Sequence, residues 1–337
     1  MHVPSLLPMP IPSPSQSVWW LGPIPLRAYG ILIVLGMFVA IYIGKKRYAQ
    51  RGGDGELLYD IAMWAIPMGI VGARLYHVIT TPDDFFSSWE AMAAIPRIWE
   101  GGLAIWGGVS AGALGAWIAV RRAGQRIGPL ADSLAPGILV AQAIGRWGNW
   151  ANQELFGSPT TLPWGLQIDD AHLPPGYESG TLFHPTFLYE SLWNVTMAII
   201  IVILDRRLKF RSGQVFTLYL MAYGTGRIIM ETMRLDEAHE YLGIRLNAWT
   251  SIFAILLACV LFVYFQRREQ PTTLTAEERE HAERRAQERK AREEGRQRKA
   301  PTAEESDPAG DVEGAEKAAD KTDEGVGADE VADGPRG

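Results

Sequence analysis

The sequence predicts an all-α polytopic membrane protein with seven transmembrane helices, a small extracytoplasmic cap and a disordered tail. Apolar side chains make up 47% of the 337 residues, and most of them lie between residues 19 and 265. They form seven stretches of about 18–26 residues, a length that crosses a hydrocarbon core of about 30 Å. Groups of Lys and Arg follow every second stretch, as expected for a chain that crosses a membrane repeatedly.

The seven predicted spans follow one another along the chain. They are residues 19–44, 57–79, 103–120, 130–150, 185–204, 214–233 and 248–265. The first opens with two tryptophans, which is typical of a membrane interface. The third is rich in glycine, which lets helices approach closely. The longest connection, 151–184, contains four prolines and several aromatic residues, and we expect it to form a folded cap at the membrane surface.

The basic groups predict the orientation. They follow spans one, three, five and seven, and they are Lys45, Lys46, Arg47, Arg51, Arg121, Arg122, Arg126, Arg206, Arg207, Lys209, Arg211, Arg267 and Arg268. Because positively charged connections stay in the cytoplasm, the N-terminus is predicted outside and the C-terminus inside. Residues 1–18 are rich in Pro and Ser and lack the basic start of a secretory signal, so they are predicted to be an extracytoplasmic segment.

Residues 266–337 are predicted to be a charged and largely disordered cytoplasmic tail. Residues 266–300 mix both charges at roughly helical spacing, whereas residues 301–337 contain twelve acidic and three basic side chains. Such a composition cannot bury enough apolar surface to offset the entropy of ordering. The formal net charge of -6 comes from this tail. No basic face suited to nucleic acid is visible, and a solvated tail unrelated to the chemistry is favoured.

The sequence predicts neither a metal nor an organic cofactor. No cluster of His, Cys and Asp has the spacing of metal ligands, and the phosphate-binding, serine-hydrolase and zinc-protease motifs are absent. The one cysteine, Cys259, lies inside an apolar run. It excludes an intramolecular disulfide, and it is predicted to be a small buried apolar side chain.

The strongest functional signal is segment 145–157, which reads G-R-W-G-N-W-A-N-Q-E-L-F-G at the end of span four. A charged side chain at membrane depth costs about 2.5–3.5 kcal/mol, so Arg146 there indicates function. Four polar side chains fall within roughly 60° on a helical wheel: Gln142, Arg146, Asn149 and Gln153. Asp132 lies within about another 40°. This polar stripe would face the protein interior or a water-filled cavity. Alternatively, Arg146 extends to the outer interface and binds headgroups.

Span six carries a second polar face. Its members, spaced i, i+4, i+8 and i+11, are Tyr223, Arg227, Glu231 and Arg234. Arg227 and Glu231 could form a purely structural ion pair. The alternative is that Arg227 and Arg146 converge near the outer leaflet on an anionic ligand. Two guanidinium groups bind a phosphodiester in a bidentate manner, which Lys does less well.

Segment 184–190, H-P-T-F-L-Y-E, leads into span five. Pro185 suits a first helical turn, where its missing donor costs nothing. Glu190 could contribute to the polar interior or be satisfied locally, and the sequence does not decide between these. His184 could act as a general base, but an interfacial histidine is favoured.

These motifs together resemble the prolipoprotein diacylglyceryl transferase family. G-R-W-G-N-W-A-N-Q-E-L-F-G closely resembles the family signature, with polar and glycine anchors at fixed spacing. Five further blocks look like family blocks in the family order: R-A-Y-G at 27–30, G-A-R-L at 72–75, E-G-G at 100–102, H-P-T-F-L-Y-E at 184–190 and Y-G-T-G-R at 223–227. The resemblance covers roughly residues 19–265, and the tail lies outside it.

The resemblance implies an activity. Enzymes of this family move the diacylglyceryl group of phosphatidylglycerol onto the thiol of the lipobox cysteine in a prolipoprotein signal peptide. A thioether forms, glycerol phosphate leaves, and this is the first step of bacterial lipoprotein maturation. The implied location is the bacterial cytoplasmic membrane, with the active site toward the outer leaflet. The implied partners are phosphatidylglycerol, prolipoproteins and membrane lipids, with no cofactor and no nucleic acid.

The resemblance also implies roles for residues. Arg146 and Arg227 would hold the phosphate, and fixed cationic donors would stabilise the charge on the departing group. Three side chains would shape the site, namely Asn149, Asn152 and Glu154, and Gly157 would form the turn after it. Four more residues match positions that are functionally important in the family: Tyr29, Asp132, Tyr223 and Glu231.

One position departs from the family pattern. In G-G-L-A-I-W-G-G, Trp106 stands where many members have a histidine proposed to act as the base on the thiol. Either His184 or Glu154 takes the proton, or the family histidine is not an obligatory base. In the last case, which is favoured, the charge of the arginines lowers the pKa of the thiol enough.

Two other classes of protein compete with this prediction. A lipid or solute transporter would also contain buried arginines and glycine-rich helices. However, no inverted repeat is apparent, and both arginines lie toward one leaflet. A membrane scaffold that recruits partners through its tail would leave the charges inside the membrane unexplained.

Overall fold

The computed structural model describes residues 9–235, 240–268 and 270–299. Residues 1–287 form one compact unit, and a second unit begins at Glu288. The predicted disorder of residues 301–337 lies outside the described residues. In the described part, the α-helices are α1 (Ala28–Gln50), α2 (Leu57–Thr80), α3 (Pro82–Phe86), α4 (Trp89–Ala93), α5 (Ile105–Arg122), α6 (Ile127–Ala151), α7 (Thr186–Leu208), α8 (Gln214–Glu231), α9 (Leu246–Arg267) and α10 (Ala276–Lys299).

Three short antiparallel ribbons connect or flank these helices. They pair β1 (Val18–Leu21) with β2 (Ile24–Arg27), β3 (Leu166–Gln167) with β4 (Leu182–Phe183), and β5 (Glu240–Tyr241) with β6 (Ile244–Arg245). The prediction that span one begins at Trp19 was wrong, because Trp19 lies in β1 and α1 begins only at Ala28. Pro23 and Pro25 disfavour a helix there, and Gly22 turns the chain with a φ of 61°.

Five of the described helices are long and apolar enough to cross a membrane: α1, α2, α6, α7 and α9. The protein is therefore a mostly helical, polytopic membrane protein. The two other predicted spans are the 18-residue helices α5 and α8. Helix α5 ends in Arg121 and Arg122, and α8 contains Arg227 and Glu231, which lowers their apolar character.

Helix α6 is the central helix of the bundle. It packs against α1, α7 and α8, and half of the residues in its most apolar stretch are buried. Helix α9, in contrast, packs on α8 and leaves most of its surface outward. Cys259 lies on that outer surface and is exposed, so the prediction that it is buried was wrong. An apolar side chain on a peripheral membrane helix faces lipid and needs no protein partner.

Helices α2 and α5 form a pair that packs mainly on itself. Glycines allow this close approach, since a Cβ atom on Gly107 would lie 2.2 Å from the Gly72 oxygen. The pair meets the other helices chiefly through an apolar cluster that includes Tyr48, Leu58, Val120 and Leu130. That cluster lies where α1 and α5 end and α2 and α6 begin.

We call this side of the bundle the basic end, and the side where α6 and α8 end the motif end. At the basic end, Arg47 and Arg51 both contact Asp205, each at 2.7 Å. The beginning of α10 also packs there. Leu274 is buried in the apolar cluster, and Glu278 accepts hydrogen bonds from the Arg126 guanidinium at 2.7 and 2.9 Å. Residues 274–287, which the sequence places in a largely disordered tail, thus contact the membrane helices.

Candidate active site

The motif of segment 145–157 lies at the end of the central helix α6. The Arg146 Nε atom lies 2.6 Å from a carboxylate oxygen of Glu190 on α7. One terminal nitrogen of Arg146 donates to the Asn149 side-chain oxygen at 3.4 Å. Both members of the ion pair are largely buried, with side-chain exposures of 18% and 10%. Arg146 therefore points into the bundle, and the alternative in which it only extends to the interface does not describe its position.

A turn after α6 brings Glu154 back toward the helix. Gln153 and Leu155 adopt positive φ angles of 53° and 58°, which few residues other than glycine favour. One Glu154 oxygen accepts hydrogen bonds from the side-chain amides of Asn149 at 2.9 Å and Asn152 at 3.2 Å. Contacts thus run without a break from Glu190 through Arg146 and Asn149 to Glu154.

Gln153 leaves the predicted polar stripe. Its side-chain nitrogen donates to Asp169 at 2.6 Å and to the Pro14 carbonyl at 3.1 Å, and its oxygen accepts from the Asp169 amide at 2.8 Å. It ties the motif to connection 151–184 and to the N-terminal segment. The helical wheel could not show this, because α6 ends at Ala151.

Arg227 and Glu231 form the ion pair that their spacing on α8 allows, with 2.9 Å between charged atoms. The other Glu231 oxygen contacts the Arg245 guanidinium and the Asn247 amide, each at 3.3 Å. One terminal nitrogen of Arg227 is buried and has no hydrogen-bond partner among the described residues. A buried guanidinium donor without a partner is costly, so this nitrogen is a position where an anion would be stabilised.

A small cavity joins the two ion pairs. It lies between α7 and α8, and it is lined by Glu190, Trp193, Asn194, Tyr223, Gly226, Arg227 and Met230. Its volume of about 10 Å³ holds one water molecule. The partner of Arg146 and the Arg227 side chain thus border the same space. The cavity is smaller than a phosphodiester group.

Tyr223 belongs to an aromatic and polar cluster between α6 and α8. Its ring stacks on Tyr219, with 6.2 Å between centroids. The Tyr219 hydroxyl accepts a hydrogen bond from the Gln142 amide at 3.1 Å. The Gln142 oxygen is buried without a partner among the described residues. The polar character of the site therefore extends one helical turn deeper than Arg146.

Gly157 lies where three segments meet. Its amide donates to the His184 carbonyl at 2.9 Å, and a Cβ atom here would lie 2.8 Å from the His184 Cβ and 2.9 Å from the Met233 oxygen. The His184 ring nitrogen lies 3.3 Å from the Tyr189 hydroxyl. In the part of the chain that the structure describes, no contact joins His184 to Arg146 or Arg227.

Tyr29 reaches the motif from the first turn of α1. The Tyr29 ring packs against Gly148, where an added Cβ atom would lie 2.5 Å from the Tyr29 Cδ2 atom. Gly148 precedes Asn149, so this contact places Tyr29 beside the polar residues of α6. Trp106 lies in the first turn of α5 and is 56% exposed.

Asp132 is not close to the arginines of the motif end. It lies 14 residues before Arg146 on α6, which corresponds to about 21 Å along the helix. Its carboxylate is fully buried and accepts from the amides of Gly213 at 2.7 Å and Phe216 at 2.9 Å. Asp132 therefore caps the beginning of α8, where an anionic acceptor satisfies orphan amides and the helix dipole.

Sequence reasoning missed the role of Arg74 on α2. This buried arginine donates to four backbone carbonyl groups of the α2–α5 connection: Ala94, Ile95, Gly101 and Gly102. The Arg74 guanidinium also lies over the Phe85 ring, 4.9 Å from its centroid, in a cation–π contact. The sequence showed an arginine inside an apolar span and within the block G-A-R-L at 72–75, and neither signal identifies backbone partners.

The helices and the buried ion pairs define a class: a polytopic membrane protein with a polar, arginine-containing site inside its bundle. The sequence comparison is more specific. The prolipoprotein diacylglyceryl transferase family profile matches residues 16–264, and the chain belongs to this family. It is therefore a transferase.

Curated relatives agree with this assignment. The chain is 51% identical over 253 residues to phosphatidylglycerol–prolipoprotein diacylglyceryl transferase 2 of Streptomyces coelicolor, covering 74% of this chain and 80% of the relative. It is 53% identical over 253 residues to the enzyme of that name from Streptomyces griseus, covering 75% and 77%. The Mycobacteroides abscessus relative is 46% identical over 278 residues, covering 78% and 81%.

Proposed function

We propose that this protein transfers the diacylglyceryl group from phosphatidylglycerol to the lipobox cysteine thiol of prolipoproteins. The observation that carries the proposal is the pair of buried arginines near one cavity, one of them with an unsatisfied donor. Such donors suit a phosphate inside a membrane, and the printed names of the relatives point to the same substrates.

The proposed reaction forms one bond and breaks another. The cysteine thiol loses its proton to water, and the thiolate sulfur bonds to the terminal glyceryl carbon. The carbon–oxygen bond to the phosphate breaks, and glycerol phosphate leaves with the electron pair. The phosphate group gains negative charge as the bond breaks. Guanidinium groups that are already fixed therefore stabilise the transition state more than the bound lipid. We assign this role to Arg146 and Arg227.

The other site residues position these two groups. Glu190 and Glu231 hold the arginines through ion pairs at 2.6 and 2.9 Å. Asn149, Asn152 and Glu154 form one hydrogen-bonded unit beside Arg146. Tyr29 packs on Gly148 beside this unit, Tyr223 lines the cavity next to Arg227, and Gly157 allows the close packing of the turn. Asp132 caps the start of α8 about 21 Å from Arg146, and His184 contacts Tyr189, so neither takes part in the described contacts that hold the two arginines.

We further propose that no single side chain is an obligatory base, because Trp106 replaces the expected histidine. The positive charge of the arginines favours the thiolate of the bound peptide. Both remaining candidates, Glu154 and His184, are engaged in hydrogen bonds. Glu154→Gln and His184→Gln variants should therefore keep the wild-type pH dependence of kcat. Loss of the acidic limb in either variant identifies that residue as the base, because a base is inactive when protonated.

The proposed topology has seven spans. At about 1.5 Å per residue, the 18 residues of α5 or α8 extend about 27 Å, close to a hydrocarbon core. Alternating basic groups then place the N-terminus and connection 151–184 outside and residues 266–337 inside the bacterial cytoplasmic membrane. In a Cys259→Ser background, an impermeant maleimide applied to intact cells should label a cysteine introduced in 151–184 but not one in 206–211. The reverse pattern rejects the orientation.

The activity is tested with purified protein, phosphatidylglycerol vesicles and a lipobox peptide. The expected result is a mass increase of one diacylglyceryl group on the Cys peptide and none on its Cys→Ser control. Arg146→Ala should lower the rate by about 10²–10³-fold, the typical cost of a lost oxyanion donor. Arg207→Ala, an exposed arginine at the basic end, is the matched control. Equal rates for both variants would mean that Arg146 does not hold the phosphate.

A further inference from the structure

A second polar cavity lies at the basic end, away from the ion pairs of the motif end. Its volume is about 350 Å³, and it opens between the ends of α5 and α9, above the beginning of α6. Three arginines line it: Arg121, Arg126 and Arg268. No acidic side chain is among its described lining residues. The cavity is therefore a cationic space at a level where membrane helices end.

Two of these arginines have no acidic partner among the residues that the structure describes. Arg126 is neutralised by Glu278, with contacts of 2.7 and 2.9 Å. Arg121 and Arg268 are exposed and form no ion pair with any residue in the described ranges. Each guanidinium rests on an aromatic ring of its own helix, at 5.5 Å for Arg121 and 4.7 Å for Arg268. Neither contact neutralises the charge, so both remain available to an anion.

The helix and loop beneath the arginines add polar groups of suitable sign. The first turn of α6 borders the cavity through Ile127 and Gly128. The Glu278 carboxylate accepts from the amide of Arg126 just before this turn at 3.2 Å, and no described side chain is bonded to the amides of Ile127 and Gly128. The first amides of a helix lack partners within the helix and carry the positive end of its dipole. Ser212 from the α7–α8 connection lies against Gly128, where a Cβ atom would be 2.2 Å from the hydroxyl oxygen.

The remaining walls are apolar. Trp117 and Val120 of α5 face Phe265 of α9 across the opening. Helix α5 packs mainly on α2 rather than on α9, and the described residues leave an open space of about 350 Å³ between α5 and α9. A free phosphate ion would use the arginines but leave these apolar walls exposed. A phospholipid would place its phosphate at the arginines and its acyl chains along the walls, and this complementarity favours a lipid.

We propose that this cavity binds the phosphate headgroup of an anionic phospholipid from the adjoining leaflet. The site is separate from the one proposed for catalysis, and no reaction occurs there. Its lipid links α5 to α9 and so holds the α2–α5 pair to the remaining helices. Because the ligand binds only the folded protein, it raises the stability of the whole chain.

The test uses the full chain carrying Arg146→Ala, so that lipid binding at the motif end is weakened equally in every arm. The protein is placed in phosphatidylcholine nanodiscs, and dioleoyl phosphatidic acid is titrated while bound lipid is counted by native mass spectrometry. Arg121→Gln with Arg268→Gln should weaken binding at least tenfold. Arg206→Gln with Arg207→Gln removes the same charge from the exposed end of α7 and should bind normally.

Two further arms separate the possible explanations. Arg121→Lys with Arg268→Lys keeps the charge and should restore most of the binding, which a merely misfolded variant would not do. Inorganic phosphate at the same concentration should raise the melting temperature far less than phosphatidic acid. Equal lipid binding by the two Gln double variants overturns the proposal. An equal effect of inorganic phosphate assigns the cavity to free phosphate instead of lipid.

Discussion

At the scale of single residues, Glu190 and Glu231 have equivalent tasks on neighbouring helices. Each holds one arginine by an ion pair, at 2.6 Å for Arg146 and 2.9 Å for Arg227. A lone charge inside a membrane is expensive, and the pairing offsets that cost while no substrate is bound. The anionic headgroup proposed above would therefore compete with these carboxylates. The buried terminal nitrogen of Arg227 that lacks a partner among the described residues could bind it without first losing one.

Arg227→Lys should lower kcat/KM by at least about 100-fold while the protein stays folded. Lysine presents a point charge that will contact Glu231, leaving no second nitrogen for the phosphate. Arg245→Lys is the matched control, because Arg245 contacts the same carboxylate at 3.3 Å and does not line the cavity. The measurement is the lipidation rate of the Cys peptide. If Arg245→Lys is impaired as strongly as Arg227→Lys, the free nitrogen is not what matters.

Asp132→Asn should lower stability without changing the KM for phosphatidylglycerol. The carboxylate accepts two backbone hydrogen bonds at the start of α8 and is fully buried, so a neutral amide with one acceptor leaves one amide unsatisfied. The expected loss is about 1–3 kcal/mol. Thermal unfolding in detergent and a lipid titration of the rate measure the two quantities. A raised KM with unchanged unfolding would instead place Asp132 among the substrate contacts.

At the scale of elements, the helices follow from the sequence, but their neighbours do not. Apolar stretches of membrane length predict helices because the backbone must satisfy its own hydrogen bonds in lipid. The same periodicity placed Arg146 and Asn149 on one face of α6, and the structure has them in contact. It could not show that Gln153 bonds to Asp169, or that Arg74 binds the connection before α5. Those contacts depend on turns and on residues distant in sequence.

Gly72→Ala should separate α2 from α5. The added Cβ atom would lie 2.2 Å from the Ala111 Cβ and 2.6 Å from the Gly107 oxygen, and one of these is backbone that cannot easily move. The expected destabilisation is about 1–3 kcal/mol. Gly145→Ala on α6 is the control, since nothing lies within 4 Å of its added Cβ and alanine favours a helix. Thermal unfolding measures both, and equal melting temperatures would show that this glycine contact is not tight.

At the scale of the whole molecule, the basic end joins nearly every element. Tyr48 of α1 donates to Gln125, and the Gln125 amide in turn donates to the Glu278 carbonyl of α10. Arg285 of α10 lies 2.8 Å from Asp60 of α2. Burial of Glu278 opposes its ionisation, but hydrogen bonds from Arg126 and Thr275 outweigh burial and lower the pKa of its carboxyl. The ionised form is therefore the one that holds α10 in place.

Glu278→Gln should lower the melting temperature at neutral pH. A carboxyl whose pKa is lowered by folding stabilises the protein above its ordinary pKa of 4.5, and that stability is lost as the pH falls through the lowered value. The difference between wild type and variant should therefore shrink in acid. Glu280→Gln is the control, because the ion pair of this exposed residue in the described part of the chain is with Arg284, one turn away on the same helix. A difference that is independent of pH would contradict the charged contact.

The sequence predicted the charge pattern of the tail but not where it binds. Residues 276–287 read as a mixture of acidic and basic side chains, which is typical of a solvated helix. Glu278 is bound by Arg126, which is 152 positions away and which the local sequence around Glu278 does not indicate. Burial could not be predicted from the sequence at Cys259 either, because an apolar residue in a membrane helix can face lipid as well as protein. Partners of this kind require the packed structure.

The α2–α5 pair packs on the other helices chiefly in the apolar cluster at the basic end, so any rigid rotation of the pair would pivot there. The 24 residues of α2 extend about 36 Å from this pivot. A rotation of about 10° would hardly disturb side chains near the pivot, yet it would move the far tip by about 6 Å, roughly half the diameter of a helix. Arg74 lies on the distal half of α2 and holds the 94–102 segment by its carbonyl groups. In such a rotation the connection before α5 would move together with α2 as one rigid body.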